Sequence, residues 1–248
     1  MIDLHSHVLP GVDDGAEDLD DALEICAAAV ADGIVVLAAT PHVRSDYPTT
    51  PEQMESALAE LRAAVGDTLR LVPGGELDLA ELDRPPEELR RFGLAGNPEM
   101  LLVETPYTGW PLDLADKLFR LKLAGFGAVL AHPERNRDVQ ANPELLEPVV
   151  HGGTLVQLTA ASLDGRFGGR ARQCSFALLE RGLAHLVASD AHSAAVREVG
   201  MSSAVEAIGD DDLAQWLTID VPRSILERTA APPRPVGGRS RRRWLFGR

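Results

Sequence analysis

The chain has 248 residues, 45% of them apolar and 25% charged, with 24 Lys and Arg against 38 Asp and Glu and a formal net charge of −14. That profile suits a soluble globular protein with one large core, and no run of about eighteen apolar residues offers a membrane span. Six of the 24 basic residues are Arg within 234–248, a stretch without acids, so the first 233 residues carry 18 basic against 38 acidic side chains, a balance that repels nucleic acid.

The opening Ile2-Asp3-Leu4-His5-Ser6-His7 runs from an apolar start into His-x-His, then a Pro-Gly turn, then Asp13-Asp14-Gly15. It does not read as a signal peptide. Further apolar runs follow at 34–39, 69–72, 100–103, 128–131, 155–158 and 185–188. With 2–4 they make seven nearly unalternating segments, as expected of strands buried on both faces. Between them 18–31, 51–65, 112–123, 143–150, 171–180 and 194–208 read as helices, the second with Thr50 as its cap and Pro51 at its first position. Strand and helix alternating along the whole length predict a parallel β/α barrel with seven strands, an open doubly wound sheet being the alternative. Residues 1–229 form the barrel; 230–248, Pro-rich and then Arg-rich, read as a flexible tail.

In such a barrel the residues after each strand open on one face, the face that carries active sites. After the first come His5 and His7, two apart and so on one side of an extended segment, with Asp13 and Asp14 beyond. The others give His42, then Glu76, Glu104, His132 within His132-Pro133-Glu134-Arg135, Gln157, and Asp190 with His192. Five of the seven His and a set of carboxylates thus converge on one mouth, a donor set for zinc, iron or manganese. His151, at a helix end, and His185, on the opposite rim, take structural readings. So many ligands exceed what one ion needs and would hold two or three, the arrangement of metal-assisted phosphoester hydrolysis. Arg135 and Arg197 are candidates for the charge that develops on phosphorus. Glu134 is the one further acid expected at the mouth. The two cysteines fit a reducing cytoplasm, and neither opens a Cys-x5-Arg motif, since the sixth residues on are Asp32 and Glu180.

These motifs, in this order, resemble the polymerase-and-histidinol-phosphatase (PHP) superfamily. More narrowly they resemble the bacterial manganese-dependent tyrosine-protein phosphatases of capsule and exopolysaccharide operons, the CpsB/CapC-like group. The likeness rests on residues 2–15, Thr40-Pro41-His42, Gly75-Glu76-Leu77, His132-Pro133-Glu134-Arg135, Ser189-Asp190-Ala191-His192 and Pro222-Arg223-Ser224-Ile225-Leu226. It implies a distorted (β/α)7 TIM-like barrel, the PHP fold, and a centre of two or three Mn2+ ions, with iron or zinc as alternatives. His5, His7, Glu76 and Asp190 would hold the first ion. Glu76 as bridge, Glu104 and His132 would hold the second, and Asp14, His42 and His192 the third, Asp14 being chosen over Asp13 by alignment alone. Arg135 and Arg197 match the catalytic arginines. The segment Glu104-Thr105-Pro106-Tyr107 departs from the Glu-Phe-Pro-like pattern of many members, which predicts a reshaped substrate rim.

The implied activity is hydrolysis of phosphotyrosine on protein. The partner would be a membrane-linked tyrosine autokinase controlling polysaccharide synthesis, with phosphate released in the cytoplasm and no nucleic acid bound. The Arg-rich tail, with Trp244-Leu245-Phe246, is solvated or makes weak contact with an anionic membrane surface. The competing readings are a small-molecule PHP phosphatase for histidinol phosphate or a nucleotide, a metal-dependent amidohydrolase, and a catalytically silent scaffold.

Overall fold

The computed structural model describes residues 1–195 and 197–236. Its strands are β1 (Ile2–Asp3), β2 (Val36–Ala39), β3 (His42–Arg44), β4 (Tyr47–Pro48), β5 (Arg70–Pro73), β6 (Glu76–Asp78), β7 (Met100–Glu104), β8 (Gly127–Ala131), β9 (Leu155–Thr159) and β10 (Leu186–Ala188). Its helices are α1 (Leu19–Ala31), α2 (Pro51–Val65), α3 (Pro86–Leu89), α4 (Leu114–Leu123), α5 (Arg137–Ala141), α6 (Glu147–His151), α7 (Ala160–Asp164), α8 (Gly169–Glu180), α9 (Met201–Ile208), α10 (Asp211–Gln215) and α11 (Val221–Glu227).

All seven expected strands are present, and two of them continue further than expected. The runs at 34–39 and 69–72 are followed, after a break, by β3 and β6. Pro41, which has no N–H for a ladder, interrupts the first, and Gly74-Gly75 the second. A Cβ at either glycine would come within 2.8 Å of a neighbour, Thr40 or Phe92, so this bend needs glycine. The result is two sheets, β1-β2-β5 and β10-β9-β8-β7-β6-β3-β4, parallel throughout except for the β3–β4 hairpin. They meet where Ser6 bridges to Ala191, with His7 N–H donating to the Ala191 carbonyl at 2.8 Å and Asp190 N–H to that of His5 at 2.9 Å. The seven strand positions therefore go round as a distorted (β/α)7 barrel whose sheet is not continuous.

Leu37, Leu102, Val129, Val156 and Val187 fill the strands, while α1 and α2 cover one side with Ile25, Cys26, Met54 and Leu61. Thr50 and Gln53 form a reciprocal capping box at the start of α2, contributing about 1 kcal/mol. One helix is shorter than its pattern. Among the described residues the run at 194–208 is helical only from Met201, where Gly200 takes a left-handed φ of 54°, and His192 N–H reaches the Arg197 carbonyl at 2.9 Å. Residues 230–236 lie along the barrel, with Trp216 Nε1–H donating to the Pro232 carbonyl at 3.0 Å and Arg234 to that of Leu179 at 2.7 Å. The Arg-rich and Trp244-Leu245-Phe246 part of the expected tail lies outside the described residues. Among those residues no helix is long and apolar enough to cross a membrane.

Candidate metal centre

Each strand end delivers its side chain to one basin. His5 and His7 follow β1, His42 opens β3, Glu76 opens β6, Glu104 closes β7, His132 follows β8, and Asp190 and His192 follow β10. All eight are buried, and Asp14, from the loop after His7, is the partly exposed member. Four overlapping groups bring ligand atoms together: His7, Asp14, His42 and His192; His5, His7 and Asp190; His5, Glu76 and His132; and His42, Glu76 and Glu104. All nine expected ligands thus share one basin, although their geometric grouping differs from the family assignment. His132 sits with His5 as well as Glu76, Glu104 sits with His42, and His7 also faces the Asp14 cluster.

Glu76 is the hub. Its Oε1 is 2.8 Å from His132 Nε2, and its Oε2 is 2.9 Å from His42 Nδ1, 3.3 Å from His5 Nε2 and 3.4 Å from His7 Nε2. Asp190 Oδ1 lies 3.2 Å from His7 Nε2 and 3.5 Å from His5 Nε2. Asp14 Oδ1 is 3.4 Å from both His42 Nε2 and His192 Nε2. His132 and Asp190, at φ 35° and 55°, adopt left-handed backbone without being glycine. Each such residue costs about 1–3 kcal/mol, and both occur where a ligand must turn in from a strand end.

The imidazoles are aimed by residues behind them. His7 Nδ1 donates to Asp13 Oδ2 at 2.6 Å, and that same oxygen accepts from His42 N–H at 2.8 Å. His5 Nδ1 lies 2.9 Å from Gln157 Oε1, and His192 Nδ1 is 2.9 Å from the Asp190 carbonyl. A ring nitrogen that donates to such an oxygen leaves Nε2 as a bare lone pair. The Nε2 atoms of His5 and His7 then face each other at 3.2 Å, two acceptors with nothing to share unless a cation or proton lies between them. Glu76 Oε2, Asp190 Oδ1 and His192 Nε2 are likewise buried without a hydrogen bond. This mixture of imidazole and carboxylate fits divalent ions. Asp13 thus supports a ring, and Asp14 is the aspartate in the cluster.

Charge follows the same geometry. Burial disfavours the carboxylates, yet His5, His132 and His42 hold Glu76 well below the usual carboxylate range, and His5 and His7 do the same for Asp190. Burial also opposes charge on His7, but Asp13 and Asp190 keep it protonated well above its ordinary value. For His192 burial wins, with His7 adding repulsion, and its pKa falls to about 4. Divalent cations at these positions would take over the charge balance that raised imidazole pKa values provide without them.

Arg135 and Arg197 both reach Asp190 Oδ2, at 2.5 and 3.0 Å. Arg44, with no counterpart among the expected residues, bonds Glu104 at 3.2 Å and lies over Tyr47. It follows His42 by two residues, the alternation that puts side chains on one face, and this was the available signal. Glu134 is not at the mouth. It is fully buried, accepts from Thr159 N–H at 2.9 Å, and burial raises its pKa. Both cysteines are buried, which pushes their thiols up to about 12.

The family model "Capsular polysaccharide synthesis, CpsB/CapC" matches residues 1–227. The tyrosine-protein phosphatase YwqE of Bacillus subtilis is 34% identical, over all of this chain and 99% of that one. A solved structure, described as one of YwqE from B. subtilis and CpsB from Streptococcus pneumoniae, "unique metal-dependent tyrosine phosphatases", matches with a TM-score of 0.84 and 31% identity over 96% of this chain and all of that chain. A histidinol phosphate phosphatase from Lactococcus lactis shares the fold alone, with a TM-score of 0.51 and 14% identity over 92% of each chain.

Proposed function

The chain belongs to the CpsB/CapC family of capsular polysaccharide synthesis, and we propose that it works as its relatives are named, as a metal-dependent tyrosine-protein phosphatase. The observation that carries the reading is the facing pair of imidazole nitrogens at 3.2 Å, ringed by buried carboxylate oxygens without hydrogen bonds. His5, His7, Asp14, His42, Glu76, Glu104, His132, Asp190 and His192 would hold two or three ions, manganese in our reading, with iron or zinc as alternatives. Such ions, when bound, supply Lewis acidity towards phosphoryl oxygens and activate water at neutral pH.

The chain's own groups do the rest. Arg135 and Arg197 enter from one side and share one carboxylate oxygen, so a phosphoryl group arriving there meets two guanidinium forks. Asp13 and Gln157 fix the rings of His7 and His5. Glu134, the one further acid expected at the mouth, is buried and turned onto Thr159, so it does not stand beside the leaving group as a proton donor. Departure without a proton suits a phenolate, whose conjugate acid has a pKa of about 10, far better than an alkoxide. The substrate is therefore an aryl phosphate ester, a phosphotyrosyl protein. The tyrosine-bearing tail of a membrane-linked autokinase, met in the cytoplasm, is the partner that this family context favours; weak membrane contact through the Arg-rich tail would complement it.

Phosphate release from phosphotyrosyl peptide, phosphoseryl peptide, histidinol phosphate and nucleoside monophosphates tests this. The phosphotyrosyl peptide should show the highest kcat/KM. A higher value for histidinol phosphate would overturn the tyrosine assignment.

A further inference from the structure

Arg135 also belongs to a second place. Its guanidinium lies between the rings of Tyr107 and Phe167, 4.8 Å from each centroid. These rings open onto a cavity of about 370 Å3 shared with Arg137 and Gln140. A neighbouring cavity of about 480 Å3 continues from Arg137, Gln140 and Phe167 to Gly168, Gly169 and Arg170. A Cβ at Gly168 or Gly169 would meet nothing within 4 Å, so the floor stands open. A groove thus runs outward from the metal centre along α5 and the start of α8.

The groove gathers positive charge at the edge of the site, in a chain with 38 acids to 24 bases. Among the exposed arginines Arg91, Arg166 and Arg181 each pair with a carboxylate. Arg137 and Arg170 are exposed, and among the described residues neither has a carboxylate within 4.0 Å. The nearby acids are committed elsewhere. Asp138 accepts from Gly109 N–H at 2.9 Å, and Glu134 is turned inward onto Thr159.

We propose that this groove is an anion subsite for the substrate segment, taking a carboxylate or a second phosphoryl group carried two or three residues from the phosphotyrosine. The inference rests on the phosphatase reading above. Arg135 and Arg137 are two residues apart, so their Cα atoms are separated by at most about 7 Å. An extended peptide covers that span in about two residues at roughly 3.3 Å each. Guanidinium forks match carboxylate and phosphate oxygens alike, so the shared chemistry is the anionic group.

The test uses phosphotyrosyl peptides with neutral flanks, with Glu two or three residues to either side, and with a second phosphotyrosine there, beside p-nitrophenyl phosphate. One acidic or doubly phosphorylated series should exceed the neutral peptide in kcat/KM by about fivefold to tenfold, mainly through KM and less so at high salt. The Arg137→Ala/Arg170→Ala double variant should abolish that preference while keeping p-nitrophenyl phosphate turnover. Glu and phosphotyrosine arms identify which anion the groove prefers. Equal kcat/KM across all peptides, or a preference that survives the double variant, overturns the subsite. Hydrolysis of none of these compounds would instead overturn the phosphatase reading. Fluorescence anisotropy of labelled peptides on chelator-treated protein then still reads the groove: binding that favours anionic flanks and weakens in the double variant supports the subsite, and equal binding refutes it.

Discussion

The two ends of this barrel use the same residue type in opposite ways. At the opposite rim His185 spends its Nδ1 lone pair on the backbone N–H of Val156 at 3.1 Å, and burial beside Arg234 lowers its pKa to about 4. It is a neutral, satisfied packing group. At the mouth the rings of His5, His7 and His192 direct Nδ1 at oxygens behind them and turn Nε2 into the basin, towards carboxylate oxygens and one another. The difference lies in where the lone pair goes. A histidine whose acceptor nitrogen is taken by backbone belongs to the fold, whereas several whose free ring nitrogens converge on buried carboxylates make a ligand set.

The sharpest way to break this contrast is at the hub. Glu76→Gln keeps the shape but removes the charge shared by the groups around His5, His42 and His132, so phosphotyrosyl-peptide turnover should fall to background while circular dichroism stays native. Normal turnover would mean that the basin is not the centre. Next in size, Arg135→Ala and Arg197→Ala should each lower kcat about 10^2- to 10^3-fold with a smaller change in KM, because bonds to a phosphoryl group strengthen as charge develops on it. Steady-state kinetics with a KM effect alone would reduce them to binding residues.

Asp13→Asn sharpens the distinction between a ligand and its support. It should weaken metal affinity by about 10- to 100-fold, with activity recovering in excess manganese. Asp14→Asn, in the cluster itself, should not recover fully. Metal titrations followed by activity separate the two, and identical behaviour would erase the distinction.

The smallest effect is expected at the far rim. His185 holds a folded pKa of about 4 against about 6.5 unfolded, so as pH falls from about 6.5 to 4 only the unfolded chain gains that proton. Its contribution is intact above about pH 6.5 and is lost towards pH 4, by up to about 3 kcal/mol. Urea midpoints of His185→Phe and of the parent chain in chelator should converge or cross over that window, and parallel pH profiles would contradict the assignment.

Most of the mouth was legible because strand ends in a parallel barrel share one face, so the residues just beyond each apolar run assemble into a ligand set before the fold is known in detail. What the sequence hid were relations across loops. Asp13 and Asp14 are adjacent and chemically identical, and only the turn after His7 decides that one lies behind His7 and the other beside His42. Gln157 looked inert at the end of its strand, yet it faces His5. Glu134 was expected at the mouth because its neighbours in sequence line it, but the turn after His132 folds it inward to Thr159. Residues 194–195 and 197–200 belong to a stretch of helical composition, and the contact of His192 N–H with the Arg197 carbonyl holds them outside the helix instead. Likewise the breaks at Pro41 and Gly74-Gly75 are readable as punctuation, but their consequence, two strands crossing into a second sheet, depends on packing against Phe92.

A multi-ion centre at the mouth that hydrolyses phosphotyrosine must hold its metal and its turnover together. The most direct measurement is metal content per chain by elemental analysis, taken alongside phosphate release from a phosphotyrosyl peptide during chelation and back-titration with manganese. Two to three ions per chain are expected, with loss of turnover on chelation and its return as manganese occupancy rises, better than with magnesium. Full turnover in a chain stripped of metal would contradict it.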